Sequence, residues 1–321
     1  VEKTATPELS AADWAEIISS ISALRPIEEI SLEGGEPFAR EDLADILGSA
    51  LRHARRVKVV TGGAAPSRLP DALVRDPRFS FEISLDGPAP IHDFLRDRSH
   101  ERAFRFLGEC LRSGVRVRFR TVISRHNLPI YEAWIGELDR SLKCPKEKIG
   151  FFFDTLIPPR ALSGHGGALR RVPARYFSAR LLVPSPLEIR ALFARVARRD
   201  FRNLRFLQNE PVRGCRALEA PGISFDPAGI FSLCCESPNG LGSILDHSPG
   251  SCLSLLDRAY QTLSCRTCPA YGPGICLGCW SGQKCGMVGH FGFAHCRELM
   301  NPRAGRESPL PRLAPPPLPP L

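Results

Sequence analysis

The chain has 321 residues, 43% hydrophobic and 24% charged, enough to bury a full core and to divide into two domains. It holds no apolar run that would span a bilayer, and Val1 to Glu8 lacks the basic segment and apolar core of a signal peptide, so a cytoplasmic address without a membrane partner is expected. The net charge of +9 comes mostly from arginines in segments such as Arg52 to Arg56, which read as solvated helix faces; without interleaved aromatics they exclude nucleic acid as the expected partner.

Apolar residues at helical spacing follow Ser10, which predicts a helix from there to Ile21 with Ser10 as its N-cap. A short strand follows from Ile27, ending at Gly34-Gly35-Glu36-Pro37, then a helix from Leu43 to Leu51 and a strand over Val57 to Thr61 ending in Gly62-Gly63. Leu69 to Val74 reads as a short helix and Phe79 to Leu85 as a strand ending at Asp86-Gly87-Pro88. Ala103 to Leu111 is a predicted helix, Val115 to Ile123 a strand, Tyr131 to Leu142 a helix and Ile149 to Phe153 a strand. Strand and helix alternating at this pitch predict a parallel sheet, flat or closed into a barrel. Pro158 to Gly167 reads as loop and Pro186 to Ala197 as helix. The last residues, from Ser308 on, are a proline-rich tail expected to be disordered.

In parallel α/β sheets functional groups gather at the C-terminal ends of the strands. Here those ends carry Gly34-Gly35-Glu36, Thr61-Gly62-Gly63, Ser84-Leu85-Asp86-Gly87 and Ser124-Arg125-His126-Asn127, richer in polar residues than turn-making needs. The second half of the chain holds a different signal. Ten of the twelve cysteines lie between Cys215 and Cys296, including the pairs Cys265-Arg-Thr-Cys268 and Cys276-Leu-Gly-Cys279. Such pairs place thiolates where they can share a metal or a cluster. In a chain this large, with only Cys110 and Cys144 before residue 215, a disulfide framework is the weaker reading.

Together these residues resemble the radical S-adenosylmethionine (SAM) enzymes with a C-terminal SPASM domain, a group that includes anaerobic sulfatase-maturating enzymes and maturases of ribosomally made peptides. The resemblance covers roughly residues 10 to 300. Gly34-Gly35-Glu36-Pro37, the run Ser84-Leu85-Asp86-Gly87 to His92-Asp93 and Arg96, and the cysteine block carry it. It implies a partial (β/α)6 TIM-type barrel lacking its first strand over residues 1–160, and a connecting segment over 161–214. A small α+β SPASM domain would follow over 215–300, with the tail at 301–321.

The resemblance also implies ligands and partners. Gly34, Gly35, Glu36, Ser84, Asp86, Arg96 and Asn127 would contact SAM, the paired glycines by close backbone approach and Arg96 by a bidentate grip on a carboxylate. Cys215, Cys234, Cys265, Cys268, Cys276, Cys279, Cys285 and Cys296 would hold two auxiliary [4Fe-4S] clusters, with Cys235 and Cys252 leaving the ligand set open. Sulfatase-maturating relatives carry a catalytic aspartate where this chain has Cys235 followed by Glu236; Glu236 is the carboxylate left to take a proton, which favours another peptide-modifying chemistry. The implied partners are a peptide or protein substrate and a reductant such as flavodoxin or ferredoxin.

One departure stands out. The family's radical-generating cluster needs a CxxxCxxC loop, and no cysteine precedes Cys110. As written, the chain is expected not to generate the 5′-deoxyadenosyl radical. N-terminal truncation is the favoured explanation, because the SAM-side motifs persist. A degenerate member serving as an iron-sulfur scaffold or peptide-binding protein is the alternative, and a zinc-ribbon-like structural protein a third.

Overall fold

The computed structural model describes residues 8–63, 69–155, 184, 186–208, 222–235 and 240–261. The chain divides into two units, one comprising residues up to Asp154 together with Ala191–Asn209, the other containing the stretch from Glu210.

The first unit opens with helix α1 (Ala11–Leu24), capped as expected by Ser10. Asp13 N donates to Ser10 Oγ at 3.3 Å and Ser10 N to Asp13 Oδ2 at 2.8 Å, satisfying two of the orphan groups at the helix start. Strands β1 (Ile27–Leu32), β2 (Ala54–Thr61), β3 (Phe79–Ser84), β4 (Arg116–Ile123), β5 (Ile149–Thr155) and β6 (Arg205–Phe206) form one six-stranded sheet whose spatial order is their chain order. Each pair with a defined register is parallel. Between the strands run α2 (Leu43–His53), the short α3 (Asp71–Val74), α4 (Ala89–Arg96), α5 (His100–Ser113), α6 (Tyr131–Ser141) and α7 (Pro186–Ala197).

Three elements differ from expectation. α4 lies within the Ser84–Arg96 run, for which no helix was expected; Pro at its first turn starts it, and Asp97, with φ of 54°, ends it. β2 begins at Ala54 rather than Val57. β6 is only two residues long, too short for any periodicity to announce. The buried Asp139 carboxylate fixes its approach, accepting from Arg202 N, Asn203 N and Leu204 N at 3.0, 2.8 and 2.9 Å.

The two sheet faces are chemically opposite. One carries Val57, Val59, Phe79, Phe81, Ile83, Val117 and Phe119, all buried, and is the core that packs beneath the helices. Phe81 meets Phe106 of α5 edge-on at 4.9 Å, and Phe119 stacks on Phe151 at 5.6 Å. Burying rings of this size contributes about 2 kcal/mol apiece. The alternate positions, on the other face, carry Glu29, Lys58, Glu82, Arg118 and Arg120.

In the second unit, β7 (Ser224–Phe225), β8 (Ile230–Ser232) and β9 (Gly242–Ser243) make a small antiparallel sheet, followed by α8 (Pro249–Gln261). Asp226 Oδ1 accepts from Ala228 N and Ile230 N in the β7–β8 turn, and Gly229 there takes φ of 85°, a conformation that suits glycine. Tyr260 of α8 ties the helix back, its hydroxyl accepting from Gly222 N at 2.7 Å. The expected loop at 158–167, most of the cysteine block and the proline-rich tail lie outside the described residues.

Candidate functional site

The turn leaving β3 is bound at every backbone polar group of two successive residues. Leu85 N donates to Arg120 O at 2.9 Å, and Thr121 Oγ1 donates to Leu85 O at 2.7 Å. Asp86 N donates to His92 Nδ1 at 3.1 Å, and Asn127 Nδ2 donates to Asp86 O at 2.9 Å. The Asp86 carboxylate accepts from Val122 N at 2.8 Å and from the Arg96 guanidinium through Nε and Nη2. Asn127, fully buried, spends its remaining capacity on Val122 O and on Ser124 N. Asp86, Arg96 and Asn127 thus form a bolt between the β3 and β4 tips, and Arg96 is held on a carboxylate of its own chain.

Ser84 sits one residue before this turn. It is buried, and among the described residues its hydroxyl has no hydrogen-bond partner. In the sheet it pairs with Arg120, on the charged face.

His92 packs behind the turn with no exposure. Since Nδ1 accepts from Asp86 N, the proton resides on Nε2, which donates to Ser99 Oγ at 3.0 Å; Ser99 in turn donates to Arg96 O at 2.9 Å. Burial pushes the His92 pKa down to about 4, with Arg96 and His100 adding to the effect against Asp86, so the ring is neutral at physiological pH. Asp93 Oδ1 accepts from His100 N at 2.8 Å, so His92, Asp93 and Arg96 each have a structural partner.

At the β1 tip, Gly34 and Gly35 are exposed; Gly34 takes φ of 144°, and a methyl group added at either would meet nothing within 4 Å. The space over this backbone is open to a ligand. Glu36 turns inward, accepting from Phe38 N at 3.3 Å, from Thr61 Oγ1 at 2.9 Å and from Gly62 N at 3.0 Å. Its carboxylate therefore joins the β1 and β2 tips. Beside it lies Arg102, which the sequence reading passed over: exposed, with Nε 3.4 Å from Gly62 O. Gly63 makes this approach possible, because a Cβ there would stand 2.6 Å from Ala103 Cα.

The charged face also escaped the sequence reading. Lys58 Nζ lies 3.5 Å from Glu29 and 3.4 Å from Glu82; Arg118 Nε lies 2.9 Å from Glu82, and Arg120 Nη1 lies 3.8 Å from Asp154. Burial alone would raise the Glu82 carboxyl, but Lys58, Arg120 and Arg118 together hold it below its ordinary value. Glu29 behaves likewise: Lys58, Arg118 and Arg56 outweigh its burial.

Of the cysteines expected to bind clusters, Cys234 is described: it follows β8, half-buried, with its carbonyl accepting from Ser232 Oγ at 2.9 Å. Cys235 is exposed. Cys252 is fully buried in α8, where burial pushes its thiol pKa up. Cys215, Cys265, Cys268, Cys276, Cys279, Cys285, Cys296 and Glu236 lie outside the described residues. Among the described residues no three His, Cys, Asp or Glu groups converge as a metal site. No helix among them is long and apolar enough to cross a membrane.

No protein-family model and no curated protein matches the chain. Solved structures do match in fold. SuiB of Streptococcus suis bound to S-adenosylmethionine aligns with a TM-score of 0.52 at 16% identity, over 81% of this chain and 60% of that one. Native anSMEcpe with bound AdoMet aligns with a TM-score of 0.54 at 10% identity, over 95% and 90% of the two chains. The same protein with bound AdoMet and the Kp18Cys peptide gives 0.51 at 11% identity. The chain spans about three-fifths of the SuiB chain it matches. The α/β architecture with its six-stranded parallel sheet is therefore that of a partial radical SAM TIM-type fold.

The strand tips fit SAM: open backbone at Gly34 and Gly35, a Ser84 hydroxyl that makes no hydrogen bond among the described residues and an exposed arginine at Arg102 offer acceptors, a donor and a cation. They do not fit the radical-generating cluster, because no CxxxCxxC occurs in the chain and Cys110 is buried within α5.

Proposed function

We propose that the first unit is a SAM-binding domain of the radical SAM peptide- or protein-maturase type, and that the cysteine block forms auxiliary [4Fe-4S] clusters. The observation carrying the reading is the β3 turn: the backbone groups of Leu85 and Asp86 are all held internally, while the Ser84 hydroxyl just before them makes no hydrogen bond among the described residues, in a fold shared with SAM-bound structures. In this reading Gly34 and Gly35 offer backbone carbonyls to an ammonium, Ser84 hydrogen-bonds the ligand, and Arg102, rather than Arg96, grips its carboxylate. Glu36, Asp86, Arg96 and Asn127 hold these groups in place. The chain's own cysteines do not supply the cluster that would cleave a bound SAM, so the reading for these residues is SAM binding beside auxiliary clusters. A peptide substrate is supported by the peptide-bound relative. Cys215, Cys234, Cys265, Cys268, Cys276, Cys279, Cys285 and Cys296 would supply the thiolates, Glu236 a proton acceptor, and a flavodoxin or ferredoxin the electrons.

The test is anaerobic reconstitution of the chain with iron and sulfide, followed by iron quantitation and SAM-binding titration. We expect iron with charge-transfer absorbance, and a Ser84→Ala protein that melts like the parent but binds SAM about tenfold more weakly. Zinc in place of iron, or no SAM binding, would sink the proposal. Iron without SAM binding would favour the cluster-bearing scaffold.

A further inference from the structure

His92 touches no group proposed to meet the ligand, yet it is buried among them and makes hydrogen bonds at both ring nitrogens. It supplies the acceptor for Asp86 N; the other polar backbone groups of Leu85 and Asp86 are held from β4 and the loop after it. Through Ser99 it also reaches the carbonyl of Arg96, whose guanidinium returns to Asp86. The loop from Asp86 to Ser99 is thereby closed on itself around one imidazole.

We propose that His92 is a positioning residue for cofactor binding, which holds the Ser84–Asp86 turn so that the Ser84 hydroxyl faces the ligand. The proposal rests on the reading that Ser84 meets SAM. Its neutral ring and single tautomer, maintained by burial, keep that arrangement unchanged across physiological pH.

A double-mutant cycle on the full chain tests it, with SAM affinity read by isothermal titration and folding by thermal melts. His92→Leu removes both hydrogen bonds; His92→Asn keeps an acceptor near the position of Nδ1. We expect Ser84→Ala and His92→Leu each to weaken SAM binding about tenfold, and the double variant to be no weaker than about tenfold, because both remove the same contact. His92→Asn should recover most of the affinity. Losses that multiply to about a hundredfold would show His92 acting independently of Ser84 and would overturn the proposal, as would a His92→Leu chain that binds normally. If Ser84→Ala itself leaves affinity unchanged, the reading of Ser84 as a ligand contact fails instead. Should His92→Leu not fold, the cycle is run with His92→Asn: a loss in that variant that persists in full on the Ser84→Ala background overturns the proposal, and one that vanishes there supports it.

Discussion

Asp86 shows how a residue that reads as a ligand contact can serve the frame instead. Its carboxylate accepts from the Val122 amide and from Arg96, and its carbonyl accepts from Asn127, so the side chain ties two strand tips together. The same holds for Glu36, which joins the first two tips. Polar residues at these tips were legible in the sequence, but their partners were not. A side chain that could serve a ligand or a neighbouring amide looks the same until the neighbour's position is known. His92 leads to a prediction at this scale. Folding lowers its pKa from 6.5 to about 4, so as pH falls the unfolded chain takes up the proton first. The contribution is full above pH 6.5, declines between 6.5 and 4, and amounts to about 3 kcal/mol in all. His100 and His126, also lowered by burial, act in the same direction. Urea unfolding at pH 7 and 4.5 should show this loss, and His92→Asn should make it smaller; an equal slope in both proteins would contradict the assignment.

Among the elements, the strands carry the least expected feature. Parallel strands covered on both sides usually read as continuous apolar runs, and these do not. In fact β4 alternates strictly, with Val117 and Phe119 on the core face and Arg116, Arg118 and Arg120 opposite, a signal that was present in the sequence and passed over. The charges meet partners across strands, with Glu82 at the centre and only 2% exposed. Neutralising it alone leaves Lys58 and Arg118 with only the more exposed Glu29 to balance them. Glu82→Gln should therefore cost about 3–5 kcal/mol in denaturant unfolding, whereas pairing Glu82→Leu with Lys58→Met should recover part of that loss. A single substitution costing less than the double one would show that the ion pairs contribute little. The two-residue β6 was illegible for a plainer reason: its approach is held by side-chain hydrogen bonds from the distant Asp139 and not by a periodicity of its own.

For the whole molecule, the order of alternating strands and helices was readable because the spacing of apolar residues switches from strand to helix and back, with glycine or proline near most of the switches. The cysteine-rich part carried a spacing in the sequence and hardly any structure. Its hairpin around Asp226 and Gly229 and the helix Pro249–Gln261 emerge only with coordinates. They do separate one cysteine from the rest. Cys252 is a core side chain of that helix, 0% exposed, so Cys252→Ala should leave iron content unchanged after reconstitution while lowering the melting temperature. Cys234→Ala should lose iron. Equal iron loss in both variants would place Cys252 among the ligands.

The charged face has a consequence for how the sheet assembles. From β1 to β5 the inward charges run acidic, basic, acidic, basic, acidic: Glu29, Lys58, Glu82, Arg118 with Arg120, and Asp154. A parallel sheet has no tight hairpins to dictate which strand lies beside which. Here each strand leaving the ribosome carries the sign opposite to the one already laid down, and skipping a neighbour would set like against like. A one-residue slip would turn the charges into the apolar core. The polarity of six side chains thus acts as a proofreading code for strand order, written on the face opposite the one that supplies most of the stability.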